Sequence, residues 1–165
     1  MGIVPTGDDS IAGSTDHLLL SESFAFTDKL PEESWPFRMQ PLRVFLVENH
    51  EDTVRYIKLY LEHLGHEVFI AREMGTALRE LPQSRCDVLI SDIGLPDGDG
   101  WLLLEKLGPH RPPFAIAISG YGTGNDQRKS VAVGYNSHLV KPFQPDTLLS
   151  LLKQAAEAKG SAPVG

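Results

Sequence analysis

Five short apolar runs, each followed by a longer amphipathic or mixed stretch, constrain this chain more than any other feature. The runs are Val44-Phe45-Leu46-Val47, Val68-Phe69-Ile70, Val88-Leu89-Ile90, Phe114-Ala115-Ile116-Ala117-Ile118 and Leu139-Val140. They are short and rich in β-branched or aromatic residues, so they read as buried strands rather than helices. Between the first two, Val54, Ile57, Tyr60 or Leu61, and Leu64 recur at helical spacing. Glu51 and Asp52 suit the positive first turn of that helix, and Gly65 is placed to end it. Weaker helical patterns cover residues 73–81, 100–107 and 125–133. The last helix opens at Pro145 and carries the stripe Leu148, Leu149, Leu151, Leu152 and Ala155.

This alternation predicts an α/β fold: a five-stranded parallel sheet flanked by five helices, with right-handed crossovers covering both faces. Ligands of such sheets sit beyond the carboxyl ends of the strands, near the switch point of the topology. The expected domain spans residues 42–159. Residues 1–41 lack a clear period and read as a flexible extension, in which Trp35-Pro36-Phe37 either packs on the domain or docks on a partner. Residues 160–165 read as a short tail, so no output module is expected after the domain.

Composition narrows the partners. Of the 165 residues, 41% are hydrophobic, enough for a core, and the net charge is −7. An acidic chain is a poor match for duplex DNA or an anionic membrane, so neither is expected as a partner. The single cysteine, Cys86, excludes an internal disulfide and a four-thiolate zinc site. No apolar run approaches the roughly 20 residues of a spanning helix, and the N-terminus lacks the features of a signal peptide. A cytoplasmic location is the expectation.

The strand ends carry the chemistry. The first ends in Glu48-Asn49, the third in Ser91-Asp92, the fourth in Ser119-Gly120 and the fifth in Lys141-Pro142. In a parallel sheet these converge on one rim. There Asp92 is a candidate carboxylate nucleophile toward phosphorus. A magnesium ion held by carboxylates, the Lys141 ammonium and the Ser119 hydroxyl would neutralise the transferring phosphoryl group. Singly, each residue has a plainer reading: a turn at Asp92 or Ser119, a solvated Lys141, a helix cap at Glu48-Asn49.

Four segments, in order, resemble the receiver domains of bacterial response regulators: residues 43–53 (RVFLVENHEDT), 87–100 (DVLISDIGLPDGDG), 117–122 (AISGYG) and 138–143 (HLVKPF). Pro96 and Gly100, four and eight residues after Asp92, make the second segment specific, as Lys-Pro-Phe does the fourth. The resemblance implies strand order 2-1-3-4-5 and a phosphoryl group passing from phosphohistidine, on a histidine kinase or histidine phosphotransfer protein, to Asp92. It places the metal at Glu48, Asn49, Asp92 and the Gly94 carbonyl. It also assigns Ser119 and Lys141 to the phosphoryl group, and a cis peptide to Lys141-Pro142. A downstream protein would read the surface of the fourth helix, fifth strand and fifth helix.

Two positions depart from the family pattern. Asn49 stands where an aspartate is usual, which removes one charge from the metal site. His138 stands where Tyr or Phe usually turns inward with the Ser/Thr. It is either an exposed ring or a polar, titratable member of that switch. Three further glycines, Gly120, Gly122 and Gly124, predict a mobile loop after the fourth strand. The alternative readings are a non-phosphorylated pseudo-receiver that binds proteins, and an aspartyl phosphohydrolase. The latter lacks the Asp-x-Asp expected after its first strand. No phosphate-cradling loop of the flavodoxin type follows that strand either. An enzyme is therefore not expected.

Overall fold

Strand β3, Val88–Asp92, is buried along its whole length, and so is β4, Phe114–Ser119. Their apolar residues do not alternate with polar ones because helices cover both faces of the sheet. In the computed structural model, which describes residues 39–120 and 122–161, these two strands pair in parallel at the centre of a five-stranded sheet. Strand β1, Arg43–Val47, lies between β3 and β2, Glu67–Ala71. Strand β5, Ser137–Val140, closes the other edge against β4. The order is β2-β1-β3-β4-β5, all parallel, as expected. The two edge strands are only partly buried.

Five helices connect and cover them: α1 Glu51–His63, α2 Met74–Ser84, α3 Gly100–Leu107, α4 Gly124–Val133 and α5 Pro145–Ser161. Alternate residues of each strand feed opposite faces. Val44 and Leu46 join Ile57, Leu61, Leu148 and Leu152 beneath α1 and α5. Phe45 and Val47 join Ala77, Leu81, Leu103 and Leu104 beneath α2 and α3. Each fully buried leucine or isoleucine in these layers contributes about 1.5–3 kcal/mol.

The helix ends follow local chemistry. Gly65, at φ 93°, lets α1 stop, and the N–H groups of Gly65 and His66 donate back to the Glu62 and Leu61 carbonyls. The choice left open between Tyr60 and Leu61 falls on Leu61, which is fully buried. Tyr60 flanks the core, and its hydroxyl donates to the Pro145 carbonyl. Helix α2 runs three residues past the expected 81, through Pro82. Helix α5 runs to Ser161, past residue 159, where the domain was expected to end.

The described core begins at Met39, which packs against the α1/α5 layer three residues before the expected start. The extension through residue 38, including Trp35-Pro36-Phe37, lies outside the described residues, as do Tyr121 and residues 162–165. No described helix is long and apolar enough to cross a membrane.

Candidate functional site

Register brings the rim together. Val47 pairs with Ser91, Asp92 with Ile118, and Ser119 with Val140, so the residues at or just beyond these strand ends stand level. Glu48 is fully buried and Asp92 is 3% exposed. Between them lies Lys141, with Nζ 2.8 Å from Glu48 Oε2 and 3.4 Å from Asp92 Oδ2. The Gly94 N–H donates to Asp92 Oδ1 at 3.1 Å. The Lys141-Pro142 peptide is cis.

The pair of carboxylates is electrostatically unequal. Burial raises the pKa of Glu48. Hydrogen bonds from Lys141 and His50 outweigh it and leave Glu48 below the ordinary carboxylate range. Asp92 goes the other way: burial and then the Glu48 charge raise it, against the pull of Lys141 and the Gly94 N–H. Glu48 is thus the settled anion and Asp92 the strained one.

Two hard carboxylates crowded against one ammonium suit a divalent cation, whose charge would relieve their repulsion. The donor set therefore fits magnesium. His50 adds a donor that the sequence reading did not single out. Its Nδ1 lies 2.8 Å from Glu48 Oε1 and 3.7 Å from Asp92 Oδ2, and its backbone N–H also donates to Glu48 Oε1. Glu48, His50 and Asp92 form a group compact enough to hold a metal ion. Asn49 and Gly94 are exposed at the same rim.

Asp92, Gly94, Ser119, His138 and Lys141 line one cleft of about 690 Å³, together with His50, Trp101 and Asp126. His138 is half-buried rather than exposed, and it is bonded at both ring nitrogens. Nε2 lies 2.8 Å from Ser119 Oγ, and Nδ1 lies 2.7 Å from Ser130 Oγ. The Trp101 indole N–H donates to Ser130 Oγ at 2.9 Å. Sequence reasoning missed Ser130. It is the one fully buried residue of α4, a helix with little apolar periodicity to mark its inner face.

The loop after Asp92 folds as a hairpin, Gly94–Leu95 against Gly98–Asp99, too short for a periodic signal. Gly100 closes it. A Cβ there would lie 2.6 Å from the Asp92 carbonyl oxygen and 3.1 Å from the Ile93 Cα, so the close approach requires glycine. Asp97 reaches across to α2 and accepts from the N–H groups of Met74 and Gly75 at 2.6 and 2.8 Å. Those bonds hold the Asp97 carboxyl below its usual range and tie the loop to the sheet's flank. Pro96 is exposed at the hairpin tip.

Fold and rim together define a doubly wound α/β module with an acidic, lysine-bearing rim at the carboxyl ends of its strands. The profile of the family described as "Response regulator receiver domain" matches residues 44–153, and the chain belongs to that family. The transcriptional regulatory protein YxdJ of Bacillus subtilis (strain 168) is 28% identical over 111 residues, covering 67% of this chain and 48% of YxdJ. The sensor protein EvgS of Escherichia coli (strain K12) is 27% identical over 125 residues, covering 75% of this chain and 10% of EvgS. The chain therefore spans about half the length of one curated relative and a tenth of the other. The response regulator receiver domain protein (CheY-like) from Methanospirillum hungatei JF-1 superposes with a TM-score of 0.69 at 29% identity, covering 74% of this chain and all of that one. Receiver domains are signalling modules of two-component systems, and they interact with histidine kinases or phosphotransfer proteins.

Proposed function

We propose that this domain accepts a phosphoryl group on Asp92 from a phosphohistidine of a histidine kinase or phosphotransfer protein, and signals through contacts with a further protein. The observation that carries this reading is the Lys141 ammonium set between Glu48 and Asp92, with the Asp92 pKa raised by burial and by the Glu48 charge. An Asp92 oxygen forms a bond to phosphorus as the P–N bond of the donor breaks. The electron pair stays on the departing imidazole nitrogen.

Lys141 compensates charge on the incoming oxygens, and Ser119 offers them a hydroxyl. Glu48 remains anionic and anchors Lys141. Glu48, Asp92, His50, Asn49 and the Gly94 carbonyl are the groups that would hold magnesium, which supplies positive charge to the phosphoryl oxygens when bound. Gly100 and Asp97 fix the loop that follows Asp92. Turnover of a free substrate forms no part of this reading.

Incubation with acetyl phosphate and magnesium, followed by intact-mass measurement, tests it. A gain of one phosphoryl group in the wild type, absent from Asp92→Ala, is the expected result. An unmodified wild type that also ignores beryllofluoride would leave the non-phosphorylated protein-binding module in its place.

A further inference from the structure

A chain of four side chains runs from the phosphoryl rim along the flank of the cleft to α3. Ser119 stands at the end of β4, His138 on β5, Ser130 on α4 and Trp101 on α3. The successive separations are 2.8, 2.7 and 2.9 Å, all within hydrogen-bond range. Lys129 Nζ sits over the Trp101 ring, 4.0 Å from its centroid, and steadies the far end.

We infer that Trp101, Ser130 and His138 are positioning residues that give this chain one direction and thereby present Ser119 as a hydrogen-bond donor to the phosphoryl group.

The direction follows from donor chemistry. An indole N–H can only donate, so it occupies a lone pair of the buried Ser130 oxygen. Ser130 keeps a second lone pair and one hydrogen; its hydroxyl is buried, and among the described residues the one acceptor recorded for that hydrogen is the Nδ1 of His138, 2.7 Å away. A neutral imidazole carries one N–H, so accepting at Nδ1 places that hydrogen on Nε2. Burial pushes the His138 pKa down, against a smaller upward pull from Asp126, which favours the neutral ring. Nε2–H then donates to Ser119 Oγ. A serine oxygen accepting from behind directs its own hydrogen toward the anion. The opposite tautomer has the opposite consequence. A bare Nε2 would draw the Ser119 hydrogen to itself, away from the phosphoryl oxygens.

This inference rests on the phosphoacceptor reading for its consequence, but the tautomer can be measured without any phosphoryl group. Long-range ¹H–¹⁵N NMR on the full chain, free of anion, reads which ring nitrogen of His138 is protonated. The expected state is Nε2–H in the wild type, with mixed tautomers in Trp101→Phe and Ser130→Ala. Beryllofluoride titration with magnesium should then weaken about fivefold in both variants, equivalent to about 1 kcal/mol at 1.4 kcal/mol per tenfold. A wild-type proton on Nδ1 overturns the inference, and so does retention of the wild-type tautomer and affinity in both variants. A wild type that binds no beryllofluoride removes the phosphoacceptor reading instead, while the tautomer result still decides the direction of the chain.

Discussion

The ammonium of Lys141 lies 2.8 Å from a carboxylate, Glu48, that is wholly buried. A buried charge survives only with a partner, and Glu48 has two, Lys141 and His50. That commitment leaves Asp92, at 3.4 Å from the same ammonium, incompletely compensated.

Asp92 should therefore cost the fold stability. Its folded pKa is raised above 3.8 by burial and by Glu48. For a raised carboxyl, the favourable contribution is present below the unfolded pKa and is lost as pH rises through the folded one. At neutral pH the charge is a burden, so Asp92→Asn should gain about 1 kcal/mol. Urea unfolding at pH 7 with chelator present checks this; equal or lower stability in the variant would contradict it.

Asn49 leaves the rim one negative charge short of the family pattern. Asn49→Asp should tighten magnesium about fivefold, since site affinity follows ligand charge. Isothermal titration calorimetry gives the comparison directly, and unchanged or weaker binding would argue against Asn49 as a metal-site residue.

At Gly100 the obstacle to a side chain is backbone, the Asp92 carbonyl and the Ile93 Cα, neither of which swings aside cheaply. Gly100→Ala should lose about 2 kcal/mol and displace the Asp92 loop. The expected signature is a lower urea midpoint together with weakened beryllofluoride binding. A variant that unfolds and binds like wild type would show the contact to be slack.

His66 predicts a pH dependence of stability. Its Nδ1 accepts the Leu42 N–H at 3.1 Å, which requires an unprotonated nitrogen, and burial lowers its pKa below 6.5. The unfolded state therefore binds the proton first. The contribution of His66 is whole above about pH 6.5 and is lost as pH falls from there through the folded value. Urea midpoints at pH 7.5 and 5.5 should differ more for wild type than for His66→Gln; an equal drop in both would refute this.

The strands were legible because their burial is written into local composition. Residues 88–90 and 114–118 are apolar without interruption, as a short strand covered on both faces is. Asp92, Ser119 and Lys141 were legible for a related reason, since each ends such a run and a parallel sheet must carry those ends to one rim. His50, Ser130 and Asp97 were not. Each acts across a gap in sequence or through a ring orientation: His50 by turning back on Glu48, Ser130 by facing a strand eight residues later, Asp97 by capping a helix that begins 23 residues earlier.

By itself, then, the order of residues determined the αβ alternation, the family and the identity of the strand-end groups, because periodicity and motif spacing are local properties of the chain. Tertiary structure alone decided which carboxylate holds Lys141, that His138 is bonded on both sides, and that Gly100 lies against Asp92. Those depend on distances between segments that only packing sets, and a difference of an ångström there separates a hydrogen bond from a bystander.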